Sequence, residues 1–148
     1  MALYTSRNWS TTEWDCLQRS ANDYAWDDEN GRLNTNNEKT ANLFKILDML
    51  RDWNPQWVVN WTQAGYKSGY RTPEINEEVG GVWNSNHRYG CAADIHEANT
   101  DATAEALAET IKAAAEYNGL LDQIELGIYQ GQGWCHIGTP GYQSIYYA

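Results

Sequence analysis

Residues 68–96 read S-G-Y-R-T-P-E-I-N-E-E-V-G-G-V-W-N-S-N-H-R-Y-G-C-A-A-D-I-H. The stretch holds two of the three histidines, His87 and His96. It also holds the glycine pair Gly80 and Gly81, an arginine in a tight polar turn, Arg71, and an aspartate, Asp94, entering a short apolar run. A second stretch, Gly133-Trp134-Cys135-His136-Ile137-Gly138, carries the third histidine. A catalytic zinc takes three protein ligands and keeps one position for water, and two histidines with one carboxylate are a common set. His87, Asp94 and His136 are expected to meet around one metal ion.

Side chains alternate across a strand. If 91–96 and 134–138 are strands, Asp94 shares its face with Ala92 and His96, and His136 shares its face with Trp134 and Gly138. Cys91 and Cys135 then point the other way, into the core behind the metal, and neither is taken as a ligand. His96 lies two strand positions, roughly 6–7 Å, from Asp94. It is a partner behind the ligands, a wall of the substrate groove, or a solvated histidine at a strand end. The spacing of His, Asp and His is a thin signal by itself; the residues around it strengthen it.

Outward from these stretches, hydrophobic periodicity supplies the elements. Leu43, Ile46, Leu47 and Leu50 recur at three and four residues, which predicts a helix over 37–53, ended by Asn54-Pro55. The run 104–117 is alanine-rich and predicts a second helix, stopped by Asn118-Gly119. Thr72-Pro73-Glu74 reads as the start of a short helix that ends at Gly80-Gly81. Ser10 and Glu13 have capping-box spacing. Strands are expected at 57–61, 66–69, 91–96, 124–129 and 134–138, with 142–147 as an edge strand. Residues 20–37, rich in Asn and Asp, are expected to be a long loop pinned by Tyr24 and Trp26. The fold class that follows is α+β: a small antiparallel sheet carrying the zinc site, with helices packed on one side.

The whole chain sets limits on function. Its 148 residues are expected to form one domain, 1–148. A formal charge of -10 and a pI of about 4.6 oppose nonspecific nucleic-acid binding, which needs Lys and Arg against phosphates, and an anionic membrane surface. No apolar run approaches the roughly 18 residues of a membrane span, and the first residues lack the apolar region of a signal peptide. The chain is expected to be cytoplasmic in the producing cell or released by another route. Three cysteines without a C-x-x-C pair are expected to be reduced and packed. Eight Trp and ten Tyr against one Phe suit half-buried positions and sugar or peptide grooves, although most are expected in the core and its rim. No pattern specifies an oligomeric state.

Ser68-Gly69-Tyr70-Arg71, Asn76, Val79-Gly80-Gly81, Ser85-Asn86-His87, Gly90, Ala92, Asp94-Ile95 and Trp134-Cys135-His136-Ile137 together resemble the peptidase M15 group. These are the zinc D-Ala-D-Ala carboxypeptidases and related phage and bacterial peptidoglycan peptidases, and their fold is similar to the metal domain of Hedgehog signalling proteins. The resemblance covers most of the chain. It implies His87, Asp94 and His136 as zinc ligands and a peptidoglycan peptide as the binding partner. It implies Arg71 as a clamp on a substrate carboxylate or carbonyl oxygen, with Ser85 adding a hydrogen bond, His96 and Trp134 being further substrate-side candidates. A guanidinium grips a carboxylate through two parallel bonds. The plain alternative for Arg71 is a surface salt bridge, for example to Glu74.

One departure bears on chemistry. Metal-assisted hydrolysis needs a general base for the metal-bound water. Family members place an acid three residues before the last histidine, at the end of the preceding strand, or two residues after the histidine. Here those positions are Gly133, Gln130 and Gly138. Gln130 can hold a water or a carbonyl but cannot take its proton. The local acids left are Glu125, Asp122 and Glu97, and Glu125 and Gln130 are the catalytic candidates, with His96 a further possible base. Two functions follow. One is a zinc peptidase of peptidoglycan stem peptides, a carboxypeptidase or an endolysin acting on the cell wall after release and phage-encoded in some members. The other is a binding or virion module that keeps the metal without turnover. A third reading, a purely structural zinc as in a signalling domain, requires a fourth protein ligand.

Overall fold

The structure is a computed structural model that describes residues 3–16, 32–148 and, for the backbone, 26–29. Two sheets and three α-helices make up the described chain. The first sheet has the order β1-β3-β2, from β1 (Tyr4–Thr5), β2 (Trp26–Glu29) and β3 (Arg32–Thr35). Its strands pair antiparallel. This corrects the loop expected over 20–37. Polar strands hide the pattern: in β3, Leu33 and Thr35 alternate into the interior. Tyr24 and the Trp26 side chain lie outside the described residues.

Helix α1 (Glu38–Trp53) starts where Asn37 accepts the Thr40 N–H at 3.1 Å, and it buries the predicted Leu43, Ile46, Leu47 and Leu50. Helix α3 (Ala104–Tyr117) starts where Thr103 accepts the Ala106 N–H at 3.1 Å. It buries Ala104, Leu107, Ala108, Ile111, Ala114 and Ala115 and packs on α1, β6 and β7. The short α2 (Pro73–Glu78) has Thr72 as its cap, as its sequence predicts. Ser10 and Glu13 do form a capping box, around a single 3-10 turn, Thr11–Glu13.

The second sheet carries the site. Its order is β4-β5-β7-β6-β8, from β4 (Trp57–Val59), β5 (Ala92–Glu97), β6 (Glu125–Tyr129), β7 (Trp134–Gly138) and β8 (Ser144–Tyr147). The first four strands are antiparallel, and β8 closes the edge parallel to β6. The expected strand over 66–69 is instead a loop with one bridge, Trp61 to Lys67. It still bonds like sheet: Ser68 N–H donates to the Asn60 carbonyl and Asp94 N–H to the Ser68 carbonyl.

Alternation divides this sheet into two surfaces. Ala93, Ile95, Leu126, Ile128, Cys135 and Ile137 join the hydrophobic core with α1 and α3. Asp94, Glu125, Tyr129, Trp134 and His136 occupy the alternate positions. In register, Asp94, His136 and Gly127 lie side by side across three strands. All three cysteines are free and buried. Cys135 lies in the core as expected, whereas Cys91 leaves the core cluster and sits against the Asn86 carbonyl at 3.7 Å.

Candidate metal centre

Asp94 stands at the middle of the site. Its Oδ1 lies 3.3 Å from His87 Nε2 and 2.9 Å from His136 Nδ1. All three residues are buried, and each offers a donor atom to one point. Neighbouring ligands of a tetrahedral zinc with bonds near 2.0 Å are separated by about 3.3 Å. The donor set and its spacing therefore suit such an ion, and among the described residues the group contains no fourth ligand.

The backbone explains why these atoms converge. His87 reaches the sheet from the loop after α2, where its own N–H donates to Ser85 Oγ at 3.2 Å. Its Nδ1 donates to the Gly69 carbonyl at 2.8 Å, so Nε2 is the nitrogen that faces Asp94. The Arg71 N–H returns a bond to the His87 carbonyl at 3.1 Å. Ser68 Oγ donates to Asp94 Oδ2 at 2.6 Å, and Arg71 supports Ser68 at 3.0 Å and faces the same Asp94 oxygen at 3.7 Å. The four residues 68–71 thus brace both His87 and Asp94. Gly69 is required there, because a Cβ would fall 1.9 Å from the Trp14 carbonyl.

Electrostatics distributes the protons unevenly. Burial pulls the Asp94 carboxyl up, but the facing His87 charge and hydrogen bonds from both imidazoles hold it far below the usual range. Burial lowers His87 despite Asp94. Burial also works against His136, yet its hydrogen bonds to Asp94 and Glu125 prevail and raise it to about 9. The two histidines shift in opposite directions although they share Asp94. The reason is that His136 has a carboxylate on each nitrogen, while His87 has a neutral carbonyl on one. In the metal-free site His136 is the imidazole that keeps the proton.

Two cavities meet over this centre. One of about 490 Å³ is lined by the three candidate ligands with Ser85, Glu125, Tyr129 and Tyr146. The other, of about 660 Å³, runs past Trp61, Gln63 and Glu78. Arg71, Asp94 and Trp134 line both. Trp134 stacks on Tyr129 with 4.0 Å between centroids. Arg71 is largely buried and bonds to Ser68 and Asp94, not to Glu74 as in its plain alternative, and its Nε has no partner.

The remaining candidates separate. Gln130 is exposed and bonds to Glu105 at the start of α3, away from the cavity over the ligands. His96 bonds to Asn60 and lines a neighbouring cleft with Lys67 and Trp134. Glu97 bonds to Asn54 at the far end of β5, and Asp122 is exposed in the turn Leu121–Gln123. Glu125 is at the site, but on His136: its Oε1 lies 2.5 Å from Nε2, and Asn86 donates to the same oxygen at 3.1 Å. Sequence reasoning missed Ser68 as the brace of Asp94. It also missed Tyr146, whose ring covers Gly127 and whose hydroxyl pairs with Tyr129. Burial and then the neighbouring Tyr129 raise the Tyr146 phenol above its usual range, so it remains a donor. The bare glycine in β6 and the tyrosines of the tail, Tyr142, Tyr146 and Tyr147, were the only signals for it.

Comparison with known proteins agrees with this arrangement. A family model described as Peptidase M15 matches residues 21–138, well over half of the 148. No curated protein matches the chain. The family match runs through every residue of the His87, Asp94 and His136 cluster, and the chain belongs to the peptidase M15 family.

Proposed function

We propose that this protein is a zinc-dependent peptidase that hydrolyses peptidoglycan stem peptides, as a carboxypeptidase or an endolysin. The observation that carries the reading is the convergence of His87 Nε2 and His136 Nδ1 on one oxygen of Asp94, beneath an open cavity. A zinc ion held there supplies a Lewis acid with one exchangeable position. Arg71 binds a substrate carboxylate or carbonyl oxygen through the guanidinium nitrogens that Ser68 and Asp94 leave over. Ser85 adds a hydrogen bond from the cavity wall. Tyr129 and Tyr146 present phenol hydroxyls to the same space, and Trp134 and Trp61 give the groove flat apolar walls for a peptide or its sugar. In a chain of net charge -10, Arg71 and Lys67 at this groove are the cations that would hold an acidic peptide. The protein would be made in the cytoplasm, phage-encoded or bacterial, and reach the wall after release, acting on neither nucleic acid nor membrane.

A second reading is a module that binds the wall peptide through the same metal without turnover. It is favoured by one observation. Apart from Asp94, the only carboxylate among the described residues that lines the cavity over the ligands is Glu125, whose Oε1 is already taken by His136 and Asn86. Incubating the purified protein with peptidoglycan and with D-Ala-D-Ala peptides, with zinc and with chelator, decides between them. Chelator-sensitive release of amine supports the peptidase. Zinc-dependent binding to peptidoglycan with no release supports the module.

A further inference from the structure

Glu125 entered as a candidate base, yet its position suits another task. His136 has its two ring nitrogens in opposite employment. Nδ1 faces Asp94 at 2.9 Å, and Nε2 faces Glu125 Oε1 at 2.5 Å. The imidazole therefore stands between Glu125 Oε1 and the point where the three candidate ligands converge. A base must come within about 3 Å of the water it activates, and that oxygen is held behind the ring.

Its own surroundings support this place. Glu125 is directly across from Gly138 in the β6–β7 register. A Cβ on Gly138 would come 3.3 Å from both Glu125 Oε1 and the Cys91 carbonyl, so the glycine leaves the room that the carboxylate fills. Asn86 Nδ2 donates to Oε1 at 3.1 Å and fixes it from the loop that carries His87. A histidine that ligates a metal through one nitrogen is oriented by an acceptor on the other, which selects the tautomer with the bare nitrogen toward the metal.

We infer that Glu125 is a positioning residue: its carboxylate accepts His136 Nε2–H and directs the Nδ1 lone pair toward Asp94 and His87, with Asn86 holding the carboxylate. The inference rests on the metal site of the proposed function, but not on its turnover.

The test compares wild type, Glu125→Gln and Glu125→Ala. Zinc affinity is measured by competition with a chromophoric chelator, and His136 is followed by nitrogen-15 NMR of the zinc-loaded protein. The alanine variant is expected to bind zinc about 10- to 100-fold more weakly and to lose the protected Nε2–H signal. The glutamine variant keeps an acceptor oxygen and is expected to recover most of both. Turnover at saturating zinc should fall by less than zinc affinity does. Unchanged zinc affinity in Glu125→Ala, with turnover abolished at saturating zinc, would overturn the inference and return Glu125 to the role of base. Unchanged melting of the metal-free variants guards against a folding artefact; if alanine fails to fold, the glutamine variant's NMR signal decides. A wild type that binds zinc but hydrolyses nothing defeats the peptidase reading and leaves this inference standing. A wild type that binds no zinc defeats both.

Discussion

The Ser68 hydroxyl donates to Asp94 Oδ2 at 2.6 Å, and the Asp94 N–H donates to the Ser68 carbonyl at 2.9 Å. These two bonds lock a loop residue to a strand residue 26 positions later, leaving Oδ1 to face the histidines. Residues 68–71 looked in sequence like a grip on substrate. In the fold they also brace the centre, Ser68 through Asp94 and Gly69 through His87.

Removing that hydroxyl should therefore loosen the metal. Ser68→Ala deletes a hydrogen bond to a charged group, a contribution of about 1.5–3 kcal/mol. It also takes the 3.0 Å partner from Arg71. Zinc affinity is expected to fall by about tenfold, read by chelator competition. An affinity equal to wild type would show that Arg71 and the backbone suffice to orient Asp94.

Zinc binding should strengthen as pH rises. His136 is raised to about 9 in the metal-free site, and Nδ1 must lose its proton before it can ligate. Apparent affinity is thus expected to increase about tenfold per pH unit from neutrality toward pH 9, then flatten. Metal-free stability has the opposite slope from this group. Its folded pKa exceeds the unfolded 6.5, so its contribution is complete below about pH 6.5 and is lost as pH rises through about 9. A pH-independent zinc constant over that window contradicts the assignment of the proton to His136.

Gly69→Ala should damage fold and site together. The added methyl would meet the Trp14 carbonyl at 1.9 Å, and the only relief moves the Gly69 carbonyl that orients His87. A loss of about 3 kcal/mol is expected from such overpacking, with weaker zinc binding in whatever still folds. Thermal melting and zinc titration on the same sample check it; a neutral substitution would mean that 66–71 shifts without cost.

Asp48→Ala provides a contrast, with stability lost and the metal untouched. Asp48 is buried on α1 and accepts from the Tyr4 hydroxyl, Ser6 Oγ and the N–H groups of Arg7 and Asn8. Those donors would be left unpaired, at a cost of about 1–3 kcal/mol for each that stays buried. Urea unfolding should show the loss, while zinc affinity of the folded fraction stays at the wild-type value. Weakened zinc binding would connect the N-terminal strand to the centre by a route the contacts do not contain.

Helices and central strands were legible because each has a periodic apolar face with its stop nearby. The alanine-rich run 104–117 and its stop at Asn118-Gly119 match α3 almost to the residue. The polar strands β2 and β3 were not legible, since ladder pairing joins them and the inward face of β3 holds a single apolar residue, Leu33, beside Thr35. At the site, the gathering of His87, Asp94 and His136 could be read from strand parity and motif. What each polar neighbour does could not. Glu125 faces Gly138 only through cross-strand register, and Ser68 meets Asp94 only through loop geometry. Gln130, chosen by its distance along the chain from His136, turns away to Glu105 because the β6–β7 turn carries it past the sheet.

Peptide hydrolysis is expected to require a zinc ion held by His87, Asp94 and His136. The most direct measurement is amine release from peptidoglycan by the purified protein as zinc is removed by chelator and then restored, in parallel with His136→Ala. The account predicts about one zinc per chain, release that stops with chelator and returns with zinc, and neither bound zinc nor release in the variant. Release that persists in the fully chelated protein, or in a zinc-free His136→Ala protein, would contradict it.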